Sequence, residues 1–186
     1  MEQVFAFLNN ICPLSESLQE YLAANLQYRE IGKKDYLLKA GHVCRHIYFI
    51  ESGLLRCFYK KGETEVCSWF MKENDIIVSI ESFFKQITSY ESIQALEDCN
   101  LHYIDYNVLH HIYRHHPEFN FTGRELTQHY YMLWARQLYG LRMQSSQERL
   151  DWLLQNHAEL FLRVPAKYLA SYLGITEVTL SKLKSR

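Results

Sequence analysis

The segment 31–105 constrains the fold most strongly, because it consists of short apolar runs that turn residues interrupt roughly every ten positions. β-Branched and aromatic residues dominate these runs, which favours strands over helices. Gly41, Gly53 and Gly62 lie at three of the breaks, where a turn often requires a positive φ. Many short strands with this spacing predict a sandwich or a double-sheet roll. The runs are YLLKAG at 36–41, HIYFIESGLLRCFYKKGE at 46–63, EVCSWFM at 65–71, NDIIVSI at 74–80, SIQAL at 92–96 and CNLHYID at 99–105.

Helical periodicity flanks this segment on both sides. Ser15 is placed to cap a helix in which apolar residues recur at intervals of three and four up to Leu26. After the strands, the pattern predicts a short helix over 107–115 and a longer one over 117–144, on the order of 40 Å long. The apolar stripe of the longer helix needs a partner, and a second copy of the chain is a natural one. The predicted dimer seam consists of Leu126, Tyr130, Leu133, Leu138 and Leu141.

The most specific motif is RVPAKYLASYLGITEVTLSKLKSR at 163–186. Pro165 suits the first turn of a helix, and Gly174 lies where a tight turn between two helices requires a positive φ. Thr176 is placed to cap the second helix. This spacing predicts a helix-turn-helix motif. Its predicted buried side consists of Leu169, Ala170, Leu173, Ile175, Leu180 and Leu183.

The charge of this motif differs from that of the whole chain. The formal net charge of the chain is −1, whereas 163–186 contains five basic residues and only one acidic residue, Glu177. A locally positive segment suits phosphate binding, which favours a DNA-binding function over a helical hairpin that serves only for packing. The candidate DNA-contacting residues are Lys167, Thr176, Glu177, Val178, Ser181, Lys182 and Lys184.

Together these patterns predict an α+β fold with three parts. Residues 1–116 form an N-terminal double-stranded β-roll, jelly-roll-like, with flanking helices. Residues 117–144 form the long dimerisation helix. Residues 145–186 form a C-terminal helical helix-turn-helix domain with a short or absent wing. Within it, Ser146 is placed to cap a helix that runs through Leu154, and Leu154 is expected to face inward.

Nearly all of the chain resembles a Crp/Fnr-family transcriptional regulator. Residues 47–84 resemble the core of that family's cyclic-nucleotide-binding β-roll, with a turn at 51–53 and an Asn-Asp-Ile step at 74–76. The order of roll, long helix and helix-turn-helix is also the family's. The resemblance implies a homodimer that binds a pseudo-palindromic DNA operator. It allows RNA polymerase and a small-molecule effector as further partners.

The sensor pocket departs from the family members that bind cyclic AMP. The resemblance places a Gly-Glu pair at Val78 and Ser79 and an Arg-Ser pair near Ser89 and Tyr90, yet neither the Gly-Glu pair nor the arginine occurs there. Without that arginine the cyclic phosphate loses its bidentate partner, so we expect that cyclic AMP does not bind. The sequence does not identify another effector. The candidate effector-pocket residues are Val78, Ser79, Ser89, Tyr90, Tyr130 and Trp134.

The recognition helix also departs from the family's best-known members. Glu177 and Val178 replace their Arg-Glu pair, and Lys182 stands where they carry an arginine. We therefore expect DNA binding with a different target sequence.

The histidines and cysteines lack the spacing that is typical of a metal site. His111 and His115 lie one helical turn apart next to His110 and His116, but Pro117 follows and no H-E-x-x-H motif occurs, which favours exposed histidines at a turn. The five cysteines include no C-x-x-C pair, which favours free, mostly buried thiols in a reducing compartment. No metal and no cofactor are predicted.

Two other functions compete with a regulator. One is a ligand-binding module whose C-terminal helices contact a protein rather than DNA. The other is a cupin-like metalloenzyme on the same roll, but His42, His46 and His102 lack the H-x-H spacing, and no catalytic motif supports an enzyme. The absence of a secretory start and of a long apolar stretch favours the cytoplasm and no membrane partner.

Overall fold

The computed structural model describes residues 1–185, in which eight strands form two antiparallel sheets of four strands each. One sheet has the strand order β1-β8-β3-β6 and the other β2-β7-β4-β5. Each sheet therefore pairs strands from the beginning of the roll sequence with strands from its end. The predicted runs of strands are confirmed, although the first strand begins before residue 31. The strands are β1 Gln27–Ile31, β2 Tyr36–Leu38, β3 His46–Ser52, β4 Leu55–Lys61, β5 Thr64–Met71, β6 Ile76–Ile77, β7 Glu91–Ala95 and β8 Cys99–Asp105.

Helices precede, interrupt and follow the roll. The sequence indicated neither the first helix nor the short helix after β6. It predicted Ser146 as the cap of a later helix, but Ser145 caps that helix instead, and the Ser145 hydroxyl accepts from the amide of Glu148. Ser15 caps its helix as predicted and accepts from the amide of Leu18. The helices are α1 Glu2–Ile11, α2 Glu16–Asn25, α3 Ile80–Lys85, α4 Tyr106–His115, α5 Phe119–Met143, α6 Ser146–Asn156, α7 Leu160–Arg163, α8 Ala166–Tyr172 and α9 Glu177–Lys184.

The core of the roll lies between the two sheets and under the helices that close its ends. Ile50 and Leu101 come from the first sheet, Leu55 and Ile93 from the second, and each is almost fully buried. The fully buried Leu18 of α2 extends the same cluster beyond the sheets. Burial of a side chain of this size contributes about 1.5–3 kcal/mol, so the roll has a core of its own.

A second apolar cluster holds the C-terminal helices together and ties them to the roll. Leu150, Leu153 and Leu169 form its centre, and Leu54 and Leu96 join it from the turns that follow β3 and β7. Leu154, which the sequence predicted to face inward, is 41% exposed because it lies on the other face of α6. The C-terminal helices thus pack on the roll through two of its turns.

The four cysteines within the strand region, Cys44, Cys57, Cys67 and Cys99, are free and buried, and Cys12 is half-buried. Burial raises the pKa of the Cys57 thiol and of the Cys99 thiol, in the latter case to about 11. These thiols therefore remain protonated core residues at neutral pH.

Within residues 1–185, no helix combines the length and the apolar character that a membrane span requires.

Candidate functional site

Helices α8 and α9 and the turn between them have the geometry that the sequence predicts for a helix-turn-helix motif. Gly174 adopts a φ of +67°, and its position after α8 reverses the chain within a few residues. Thr176 caps α9 and accepts from the amide of Thr179 at 3.1 Å. Leu169 and Leu180 are buried between the helices, so this packing fixes the direction of α9.

Each of the seven residues predicted to contact DNA is exposed to solvent. Lys167 lies in the first turn of α8, and the other six lie at the cap and along the outer face of α9. Val178, for example, is 64% exposed. Because α8 packs on β5 of the same chain, α9 keeps its outer face free. Arg163, by contrast, belongs to the basic part of the sequence but is not available to phosphate.

Arg163 is held by two carboxylates from turns of the roll. Its guanidinium donates to both carboxylate oxygens of Glu73 at 2.8 and 3.0 Å and to both of Glu97 at 2.5 and 2.9 Å. The amide of Gly53 also donates to Glu73 at 3.0 Å, so three turns of the roll meet at this arginine. Hydrogen bonds from Arg163 lower the pKa of the Glu73 carboxyl to about 2.

Replacing Arg163 with methionine is expected to lower the free energy of unfolding by about 1–2 kcal/mol at neutral pH, toward the lower value because about a third of the Glu73 side chain is exposed. The folded pKa of Glu73 lies below its usual value of 4.5, so this stabilisation is present above pH 4.5 and is lost as the pH falls toward 2. Urea unfolding at pH 7 and at pH 2.5 measures it. The difference between the two proteins should shrink at the lower pH. Arg124→Met, at an exposed position on α5, should change stability by less than about 0.5 kcal/mol at either pH. An equal loss of stability in both variants would contradict a stabilising role of the contact between Arg163 and Glu73.

Arg56 forms a second link between the roll and the C-terminal helices, in this case to Tyr168 of α8. This side chain is 1% exposed and lies between the rings of Phe58 and Tyr168, with its guanidinium carbon 4.0 and 3.7 Å from their centroids. It donates to Gln94 Oε1 at 2.6 and 3.0 Å and pairs with Glu65 at 2.7 Å. A planar guanidinium is suited to such a site because it stacks on rings and still donates in its own plane.

A cavity of about 540 Å³ opens from the interior of the roll toward α5. Four of the six predicted effector-pocket residues line it, namely Val78, Tyr90, Tyr130 and Trp134. Ser79 and Ser89 do not, because both are buried behind it and their hydroxyls hydrogen-bond to each other at 2.9 Å. Four of the six candidate residues thus lie in the wall of one cavity, and the other two lie in the layer behind it.

The charge of the cavity wall is acidic. Among the described residues that line it there is no lysine and no arginine, whereas Glu81 and Glu91 are both present. Burial raises the pKa of the Glu91 carboxyl, and hydrogen bonds from the hydroxyls of Ser79 and Tyr59 oppose that rise. Aromatic side chains form much of the remaining wall, so the cavity suits a largely apolar ligand. Of the aromatic residues in the wall, the sequence singled out Tyr90, Tyr130 and Trp134 but not Tyr59, Trp69 or Tyr131.

Helix α5 faces the roll with one side and solvent with another. Leu126 and Tyr130, predicted for a dimer seam, contact the roll of their own chain, and the Tyr130 hydroxyl accepts from the amide of Ile76 at 2.7 Å. Leu133, also predicted there, lines a smaller cavity between the roll and the C-terminal helices. Leu138 and Leu141 of the predicted seam are exposed.

The histidines next to Pro117 are engaged in local contacts. The ring of His111 stacks on Tyr21 at 4.4 Å between centroids and lies 4.2 Å from the ring of His115. His116 is buried and lies 3.4 Å from the Ser17 hydroxyl. These rings pack α4 on α2.

Residues 28–116 match the family described as the cyclic nucleotide-binding domain. The matched residues span most of β1 through α4 and include the strands that surround the cavity. The roll is thus similar to a cyclic nucleotide-binding domain, in agreement with the sequence resemblance. A search of curated proteins found no match.

Solved structures of bacterial regulators share the fold of nearly the whole chain. A CooA variant from Carboxydothermus hydrogenoformans matches with a TM-score of 0.73 and 21% identity over 92% of this chain and 79% of its own. CLP, a c-di-GMP-responsive global regulator from Xanthomonas campestris, matches with a TM-score of 0.72 and 14% identity, and the match covers 92% of this chain and 90% of CLP. A protein from Eubacterium rectale, assigned as a Crp/Fnr-family transcriptional regulator, matches with a TM-score of 0.72 and 18% identity. This match covers 91% of this chain and 82% of the other. At these identities the likeness establishes the fold.

Proposed function

We propose that this protein is a DNA-binding transcriptional regulator that acts as a homodimer and responds to a ligand in the roll. The observation that carries the proposal is the free outer face of α9, with its threonine cap, its two lysines and the turn that aims it away from the roll. A second helix of this kind enters the major groove and reads base edges with its first residues. The regulators that share the fold support the same role.

The residues of α9 divide between base contacts and phosphate contacts. Glu177, Val178 and Ser181 extend from the first turns, where a glutamate can accept from a cytosine amine and an apolar side chain can contact a thymine methyl group. Lys182 and Lys184 lie in the last turn, where they are placed for phosphates. A recognition helix of eight residues with two such lysines reads only a short half-site, so a dimer is needed for useful affinity.

The exposed face of α5 supplies a seam for that dimer. Tyr131, Trp134, Leu138 and Leu141 follow one another at intervals of three, four and three residues, which is the spacing of a coiled-coil seam. They are 66%, 51%, 37% and 45% exposed in the single chain. Tyr131 and Trp134 also line the cavity, so a partner helix packed on this seam would cover the mouth of the cavity. The dimer and the ligand site are therefore parts of one proposal.

Cyclic AMP is not the expected ligand, although the domain family is named for cyclic nucleotides. A cyclic phosphate in this cavity would meet two carboxylates and no arginine or lysine from the described wall. Moving an anion from water to such a site costs several kcal/mol without a compensating partner.

Binding to a library of random duplexes tests the DNA function. The purified protein should enrich a pseudo-palindromic site, and the affinity for that site should fall steeply as salt increases. Lys182→Ala should weaken binding by about tenfold and reduce the salt slope by about one for each protomer, because it removes one phosphate contact from each. Lys33→Ala removes the same charge from the turn between β1 and β2 and should change neither quantity.

Two outcomes would contradict a DNA function. One is the absence of any enriched site at low salt, both with the protein alone and with a cell metabolite extract added as a source of effector. The other is equal weakening by Lys182→Ala and Lys33→Ala, which would show that binding reports only the overall charge. Either would favour the C-terminal helices as a surface for a protein partner.

A further inference from the structure

The charge of the cavity constrains the chemistry of its ligand more tightly than its volume does. A cavity of about 540 Å³ accommodates a wide range of small molecules. Its described wall, however, contains two carboxylates and no lysine or arginine, and only one of the two, that of Glu91, has no charged partner. An anionic ligand would be repelled by it, and a neutral one would leave it without a charged partner.

Glu91 is the acidic group that lies deepest. It begins β7 on the inner side of the second sheet, and burial raises the pKa of its carboxyl, with no basic residue among the groups that act on it. Glu81 differs, because its carboxylate pairs with Lys85 at 2.8 Å on the surface of α3. The nearby hydroxyls of Ser79 and Tyr59 lower the pKa of the Glu91 carboxyl and so oppose part of its rise. The remaining acceptor capacity of this carboxylate is available to a ligand.

Aromatic rings surround the approach to Glu91. The rings of Tyr59 and Tyr90 stack at 5.6 Å between centroids with an angle of 28° between their planes. Tyr131 and Trp134 from α5 lie across the mouth. Aromatic faces attract cations, and a buried carboxylate next to such faces is the arrangement with which proteins bind organic ammonium groups.

We propose that the ligand of this cavity is an organic monocation, an amine or quaternary ammonium group on an apolar or aromatic body, with the cationic group at Glu91 and the body among the rings. This proposal rests on the proposed function, because it takes the cavity of the roll as the sensor site. Charge complementarity selects the cation, since a positive group is the strongest partner for the half-buried carboxylate of Glu91. The apolar wall selects the body, since an inorganic cation would have to exchange its water for aromatic side chains.

Three phenylalkyl probes of similar length test the proposal, because they differ mainly in charge. The probes are phenylbutylammonium, phenylbutanol and phenylbutyrate, and calorimetry with the full chain at pH 7 and in the absence of DNA measures their affinities. The ammonium compound should bind about tenfold more tightly than the alcohol, and the carboxylate should bind most weakly.

Variants of Glu91 then locate the cationic group. Glu91→Gln keeps the size and the hydrogen bonding of the side chain but removes its charge, so the preference for ammonium over alcohol should fall from about tenfold to about twofold or less. Glu91→Asp keeps the charge and should retain a preference. Glu20→Gln removes a carboxylate from the exposed surface of α2 and should leave all three affinities unchanged.

The wild-type probe series decides the proposal even where a variant does not fold. Equal affinity for ammonium and alcohol would overturn it, as would tighter binding of phenylbutyrate or cyclic AMP, or no binding of any probe at millimolar concentration. A preference for ammonium that persists in Glu91→Gln would also overturn it. Because DNA is absent, these results are independent of the duplex-library experiment, so failure of the ligand proposal and failure of the DNA-binding proposal can be distinguished.

Discussion

Replacing Leu138 with glutamate is expected to convert the protein from a dimer to a monomer and to weaken operator binding by about a thousandfold or more. Leu138 lies in the middle of the proposed seam on α5 and is 37% exposed in the single chain. In a two-fold dimer both copies of a seam residue lie at the same interface, so the substitution buries two carboxylates against apolar side chains. A penalty of roughly 4 kcal/mol corresponds to a factor of a thousand in affinity, and desolvation of two unpaired charges reaches that value.

Sedimentation and operator titration measure the two parts of this prediction. Met132→Glu is the matched control, because Met132 lies on the same helix, is 62% exposed and points away from the seam. The control should remain a dimer with unchanged operator affinity. If Leu138→Glu also sediments as a dimer, α5 does not form the interface through this face. If it is a monomer that still binds the operator as tightly as the wild type, a single recognition helix is sufficient and the need for two half-sites is refuted.

The sequence predicted the parts of this fold that local patterns determine. The strands follow from β-branched and aromatic runs, the α2 cap from Ser15, and the turn before α9 from Gly174 and Thr176, because each depends on residues only a few positions apart. The same applies to the exposed face of α9, since burial of Leu169 and Leu180 leaves one side of that helix for solvent. Local chemistry was sufficient for the two C-terminal helices and the turn that joins them, whereas the candidate pocket residues came from the family resemblance.

What the sequence could not predict depends on contacts between distant segments. Helix α5 carries aromatic and apolar residues on two faces, and the periodicity alone does not tell that Tyr130 faces the roll while Tyr131 faces solvent. Arg163 is a basic residue of the last segment that looks available to DNA until Glu73 and Glu97 are brought to it by two separate turns. The same limit applies to the cavity wall, because only the pairing of β4 with β7 places Tyr59 beside Glu91.

Replacing Arg56 with alanine is expected to lower the free energy of unfolding by about 2–4 kcal/mol and to detach α8 from the roll. The substitution leaves Gln94 without its donor and removes the group packed between the rings of Phe58 and Tyr168. Loss of one partner from a buried charge pair costs about 3–5 kcal/mol, but Glu65 is 31% exposed and recovers part of that through water. Urea unfolding measures the stability, and limited proteolysis between the roll and α8 measures the detachment. Arg45→Ala, at an exposed arginine before β3, should change both by little.

This contact also connects the proposed sensor cavity to the helices that we propose bind DNA. Alternate residues of β4 face opposite sides of its sheet, so Cys57 and Tyr59 line the cavity while Arg56 contacts Tyr168 of α8. A ligand that moves β4 therefore moves the site that holds Tyr168. A double-mutant cycle of Arg56→Ala with Tyr168→Leu should show a coupling energy of about 1 kcal/mol or more, because the two side chains are in direct contact. Additive effects would mean that the stacking of Arg56 on Tyr168 contributes nothing to holding α8, and that the other contacts, such as the hydrogen bonds of Ser171 with β5, hold this helix.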